Sequence, residues 1–167
     1  MISFLVQTNE IVQISFSQDD NLKTFYSPEY RFSIEYPSYY EVQNYLESES
    51  PFVNFFSGWT DGISDPMLSI KTTNTAILDY VNSKISSELE DDVNTLFQKI
   101  TPITIDGNEG YSFSIADDVD YRTASMIEKY TIFTHGGNIY QFYVVGGSDD
   151  FDERTFNQMI KSIKFMN

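Results

Sequence analysis

Tyr26-Ser27-Pro28-Glu29-Tyr30-Arg31-Phe32-Ser33-Ile34-Glu35-Tyr36-Pro37 is the stretch whose reading decides the fold. Tyr30, Phe32, Ile34 and Tyr36 alternate with Arg31, Ser33 and Glu35. Side chains two apart in an extended chain point the same way, so the pattern predicts a strand with one buried face. Pro28 lies before it and Pro37 closes it. Proline lacks the N–H that a central ladder needs, so both mark limits of the strand. The sheet is expected to be organised around this strand.

On its N-terminal side, Ile11 to Phe16 alternates briefly and reads as an edge strand or an extended arm. Ser17 to Thr24 is polar, and Asp19, Asp20 and Asn21 favour turns. Residues 1–24 therefore read as an arm or edge strand with a linker, and 25–167 as the domain. Met1 to Val6 is briefly apolar but has no basic flank, so it is not an intact signal peptide. It reads either as the stub of one or as an added start.

On the C-terminal side, Ser38 to Trp59 is rich in aromatics, and Phe52 to Ser57 reads as a second strand. Met67 to Thr72 alternates through Leu68 and Ile70 as a third. From Asn74 or Thr75 the period changes. Ile77, Leu78, Val81, Ile85 and Leu89 recur at three- and four-residue steps, which predicts one helical face. Asp91 and Asp92 would oppose the helix dipole, which ends the helix near Glu88 to Glu90, although Val93, Leu96, Phe97 and Ile100 could prolong it.

Ile103 and Ile105, then Tyr111, Phe113 and Ile115, flank Asp106-Gly107-Asn108-Glu109-Gly110 and predict a hairpin. Ala116 to Ser125 is a polar excursion. Met126 to Thr134 and Asn138 to Val145 form another strand pair, turned at His135-Gly136-Gly137. In the last strand both faces are apolar, so it is predicted to be central and covered on both sides. The cover must come from the two helical patterns, the second being Glu153 to Ser162 with Phe156, Met159, Ile160 and Ile163 on one face. The expected fold class is α+β, an α/β/α sandwich with a mostly antiparallel central sheet flanked by helices.

Composition narrows the function. A chain of 167 residues suits one domain, which buries roughly 70% of its unfolded surface without needing disulfides. It has no cysteine, which excludes thiolate metal sites. A formal charge of -15 disfavours nucleic acid and anionic lipid and favours solubility, cations or basic partners. No run approaches the ~20 apolar residues of a membrane span.

Three segments resemble PsbP-like domains. Tyr-Ser-Pro-Glu-Tyr-x-Phe-Ser-Ile-Glu-Tyr-Pro-Ser at 26–38 is similar to their opening, which often carries "Ser-Ile-x-Tyr-Pro". Ile-Thr-Ile-Asp-Gly at 103–107 resembles the strand before their hairpin. Phe-Asn-Gln-Met-Ile-Lys-Ser-Ile-Lys-Phe at 156–165 is similar to their last helix and finish. The resemblance covers about Phe25 to Phe165. Arg31 departs from it, standing where glycine is usual, as do Tyr39-Tyr40, where many members have tryptophan. The resemblance implies an α/β/α sandwich and non-catalytic roles: retention of calcium and chloride by the photosystem II member, binding of the GTPase Ran by a fold relative, and export of many prokaryotic members. No functional residue carries over from it.

The residues that remain sort by chemistry. His135 is the only histidine and has no second histidine for metal or acid–base work, so it reads as a surface turn residue. Gly107-x-x-Gly110 and Gly146-Gly147 lack the Lys-Ser/Thr of a phosphate loop. Asp117, Asp118 and Asp120 cluster as hard-cation ligands could, making calcium the one cofactor to consider, although no EF-hand spacing is present and a solvated loop explains them as well. Tyr39, Tyr40, Tyr45 and Trp59 are the candidate binding residues, since tyrosine and tryptophan bring large contact area with a polar tip. The expectation is a monomeric, non-catalytic binding or accessory module, extracellular or of the cell envelope, acting on an unidentified protein partner without membrane insertion. A calcium-binding domain and a hydrolase with a carboxylate pair are the alternatives.

Overall fold

The computed structural model describes residues 21–58, 65–91, 96–116, 126–146 and 153–166. Predictions that fall on residues 1–20, on Trp59, or on Asp117, Asp118 and Asp120 lie outside the described residues.

The quoted stretch folds as β1 (Leu22–Ser27) and β2 (Phe32–Pro37). Phe32, Ile34 and Tyr36 are buried as the alternation requires. The strand does not centre the main sheet, however. β2 is the middle strand of a small antiparallel sheet, between β1 and the C-terminal β11 (Lys164–Phe165). Leu22 to Thr24, expected as linker, is drawn into β1 by pairing, with Leu22 opposite Pro37. Pro37 can end β2 at no ladder cost because β11 pairs only with Phe32 and Ser33 and does not reach it.

Among the described residues the main sheet has eight strands, all paired antiparallel. It runs β3 (Glu41–Asn44), β4 (Phe52–Phe56), β5 (Met67–Thr72), β10 (Asn138–Gly146), β9 (Ile127–His135) and β8 (Asn108–Ala116). Both β6 (Leu96–Phe97) and β7 (Thr101–Ile105) then pair with β8. β10 is central, as its doubly apolar pattern predicts. Its Tyr140, Phe142 and Val144 join the core cluster on one face and Ile139 the cluster on the other. Two hairpins turn on two residues each, Asp106-Gly107 and Gly136-Gly137, all with positive φ. That backbone matches the strand twist and favours Asp, Asn and Gly.

Helix α1 (Ile77–Asp91) covers one face, packing Val81 and Ile85 against Phe113, Tyr130 and Ile132. Its buried stripe is narrower than the period suggested, since Leu78 and Leu89 are exposed. Leu96 and Phe97, which could have prolonged it, form β6 instead. Helix α2 (Glu153–Ser162) lies on the opposite face beside the small sheet, with Phe156, Met159 and Ile160 buried. Ring stacking of Phe156 on Phe142, centroids 5.0 Å apart, fixes it there. The Ser162 hydroxyl accepts the Glu35 N–H at 2.8 Å and so joins the helix end to β2. The fold is α+β: a helix, an antiparallel sheet, and a third layer shared by a helix and three strands.

Candidate functional site

The antiparallel ladder sorts the aromatic stretch into two sides. Glu41 pairs with Phe56, Val42 with Phe55, and Gln43 with Asn54. Residues directly opposite each other share a face, so Val42 turns with Phe55 into the core, while Glu41 and Gln43 turn outward. Tyr40 and Leu46, in step with Val42, are buried at 5% exposure each. Tyr39 and Tyr45, one residue out of step, are 48% and 46% exposed. Of the four predicted binding residues, Tyr39 and Tyr45 therefore stand on the surface and Tyr40 belongs to the core cluster.

These two tyrosines bracket β3, which is the outer strand of the eight-stranded sheet and pairs only with β4 among the described residues. The Tyr39 ring leans on Tyr40, centroids 4.6 Å apart. The Tyr45 ring stacks on Phe52 at 4.6 Å. A tight turn follows, in which the Ser48 hydroxyl donates to the Tyr45 carbonyl at 2.7 Å. Leu22 adds to the Tyr39 end. It is exposed, and the Ser38 N–H donates to the Asn21 carbonyl at 2.8 Å, bringing the two segments together. Neither Leu22 nor Phe52 was singled out from the sequence. Leu22 sat in a polar stretch, and Phe52 read as plain strand core.

Beyond Phe52 a groove of about 580 Å³ runs between β4, β5 and α1, lined by Pro51, Phe52, Met67, Ser69, Lys71 and Tyr80 among others. The sheet is open here because α1 packs against β8 and β9 and leaves the outward residues of β4 and β5 without a helix over them, among the described residues. The Tyr80 hydroxyl donates to Gln141 Oε1 at 3.3 Å, and the Lys71 ammonium lies 5.5 Å above its ring. Burial raises the Tyr80 pKa, partly opposed by Lys84, so the phenol is a neutral donor at physiological pH. Asn54 Oδ1, on the same face, is buried with no hydrogen-bond partner among the described residues, although its amide donates to Gln43.

His135 ends β9 rather than sitting in the turn. Its ring stacks on Phe165 at 3.8 Å, and its Nδ1 lies 3.0 Å from Asn108 Oδ1. It holds the C-terminal strand, and that packing is what occupies it. Among the described residues no three or more Asp, Glu or His side chains converge as a metal site would need. No helix there is long and apolar enough to cross a membrane.

Comparison of the sequence with protein-family models gives no match, and comparison with curated proteins gives none either. Solved structures do match. The cyanobacterial PsbP, CyanoP, of Synechocystis sp. superposes with a TM-score of 0.63 at 11% identity, over 93% of this chain and 99% of that one. A protein of Pseudomonas aeruginosa described as a putative regulator gives 0.56 at 10% identity, over 87% and 98%. LpqN of Mycobacterium tuberculosis, described as involved in cell envelope biogenesis, gives 0.53 at 10% identity, over 90% and 88%. At such identities the likeness is one of fold, and it agrees with the resemblance read from the three sequence segments. The chain has the PsbP-like fold.

Proposed function

We propose that this protein is a non-catalytic accessory module of the cell envelope that works by binding another protein along β3. One observation carries the reading: two half-exposed tyrosines stand at the two ends of an outer strand of the main sheet. An outer strand offers backbone N–H and C=O groups to an added strand, and flanking aromatics supply contact area and specificity. The charge selects the partner. Glu41, Glu47 and Glu49 lie on or beside β3, in a chain of net charge -15, so the fitting partner presents an extended basic segment. The envelope location rests on fold likeness to LpqN and is tested with the partner.

The test compares wild type with a Tyr39→Ala/Tyr45→Ala variant as bait in envelope extract. Wild type should retain a partner that elutes as salt rises, because exposed charge pairs are screened. The variant should lose it while melting within a few degrees of wild type, since surface changes usually stay within about 0.5 kcal/mol each. Equal retention by both baits would move the interface away from β3. Retention only from cytosolic extract would contradict the location.

A further inference from the structure

The two strand layers end together on one side of the molecule. Ring contacts set their order: Phe25 of β1 meets Phe55 of β4, Phe32 of β2 meets Tyr140 of β10, and Phe165 of β11 meets Phe133 of β9. β1 therefore lies toward the β3 side of the main sheet, and both are outer strands among the described residues. The core is left unfinished between them. Val42 of β3 and Phe25 of β1 pack against the core cluster but are only partly buried. Lys23 shares the core-facing side of β1 with Phe25, is exposed, and makes no ion pair among the described residues.

The free edge of β3 follows from its ladder. Hydrogen-bonded and non-bonded pairs alternate along an antiparallel pair. The Tyr45 N–H donates to the Phe52 carbonyl at 2.9 Å, so Val42 and Asn44, an odd number of steps away, turn their N–H and C=O groups away from β4. The two faces of this edge differ. On the core face stands Val42, with Phe25 and Lys23 on the facing layer. On the face that carries α1 stand Tyr39, Glu41, Gln43 and Tyr45. Each tyrosine packs its ring on a neighbour, Tyr40 or Phe52, and remains about half exposed. Gln43 is tied to Asn54, whereas Glu41 is exposed with no ion pair among the described residues. Lys71, on the same face, stands two strands inward over the Tyr80 ring.

Building on strand addition at β3, we propose that this edge selects an extended segment in which lysine or arginine alternates with valine or isoleucine. The basic side chains fall on the α1 face. Their stems lie along the Tyr39 and Tyr45 rings, and their charges meet those rings at the strand ends and Glu41 between them. The aliphatic side chains fall on the core face and close the gap between Val42 and Phe25. A basic residue on that face would meet Lys23 and lose water without gaining a counter-charge. The pattern holds for a parallel or an antiparallel segment, because successive side chains alternate in either direction. A segment whose two faces are mixed satisfies neither side of the edge.

The experiment is an amide-shift titration of the 15N-labelled full chain with two blocked peptides of identical composition. One alternates lysine with valine; the other carries its lysines in one block and its valines in the next. Identical composition cancels the general attraction of a chain of net charge -15 for cations. The alternating peptide should shift the Val42 and Asn44 amides to saturation, with Kd about 1 mM or below. The block peptide should bind about tenfold more weakly, the worth of partly burying one valine. Glu41→Gln should weaken the alternating peptide by about threefold, as loss of an exposed charge pair does. Lys23→Gln should narrow the gap between the peptides by about threefold, because the repulsion on the core face is gone. Both residues are exposed, so both variants should keep the wild-type amide dispersion. Equal binding of the two peptides with shifts at β3 would overturn the alternation and leave strand addition standing. Shifts at Val42 and Asn44 from neither peptide would overturn both. Protection of those two amides from hydrogen exchange in the free chain would show the edge already filled, by this chain or a second copy, and would overturn the proposal as well.

Discussion

Arg31 is the residue to change first. It closes the turn between β1 and β2 with φ of 50°, in the left-handed region. A Cβ there crowds the following carbonyl at a cost of roughly 1–2 kcal/mol. Glycine escapes that cost but loosens the unfolded chain, by roughly 0.5–1 kcal/mol. The Arg31 side chain is exposed, and its backbone carbonyl accepts the Met166 N–H at 2.8 Å, a bond that glycine keeps. The difference leaves Arg31→Gly more stable by about 0.5–1 kcal/mol. In a chain of this size that raises Tm by about 1–4 °C. Urea unfolding of wild type, Arg31→Gly and Arg31→Ala measures it. The alanine variant removes the side chain but keeps the Cβ, so its midpoint should stay near wild type. Arg31→Val should fall below both, because a β-branched residue tolerates this backbone worst. If glycine proves less stable than alanine, the backbone strain is not there and the argument fails.

Two further perturbations probe the frame around the sites. A Cβ on Gly110 would stand 2.8 Å from the Ile132 carbonyl oxygen and 2.8 Å from Phe133 Cβ, so Gly110→Ala should cost about 1–3 kcal/mol as overpacking; a calorimetric Tm equal to wild type would show that β7, β8 and β9 can spread. Asp106 accepts the Phe165 N–H at 2.8 Å and the Lys164 ammonium at 3.1 Å, and these bonds, the backbone one foremost, lower its pKa in the folded state. Its contribution is therefore present above the unfolded pKa of about 3.9 and is lost as pH falls through the lower folded value. The wild-type advantage over Asp106→Asn should hold steady from about pH 7 to 5 and shrink below about pH 4 in urea titrations; an advantage independent of pH would refute the clasp.

Much of the fold was legible because the relevant physics is local. Met67 to Thr72 declared a strand by alternation, and the strands read at Phe52 to Ser57 and Met126 to Thr134 fold as β4 and β9 within a residue at each end. The turn-forming runs Asp106 to Gly110 and His135 to Gly137 announced the two hairpins, and strand pairing tightened them to the two-residue turns Asp106-Gly107 and Gly136-Gly137. The apolar character of both faces of β10 announced its central place, and Phe156, Met159 and Ile160 announced the buried stripe of α2.

What the sequence could not decide was partnership. Phe32, Ile34 and Tyr36 declare a buried face but not which sheet they join, and tertiary packing put them in a three-stranded layer with the chain's last strand. The four-residue β3 and the two-residue β6 and β11 are too short for any period to declare them. Tyr39 and Tyr40 are chemically alike, yet register with β4 buries one and exposes the other, because a shift of one residue exchanges the faces of a strand. The open edge is the extreme case. Phe25, Val42 and Phe55 are spread along the chain and none belongs to a motif, so only the pairing of β3 with β4 and the packing of β1 over it bring them together. Local periodicity fixes how many faces an element has. Which face meets which neighbour is a matter of long-range register, and the binding edge exists at that level.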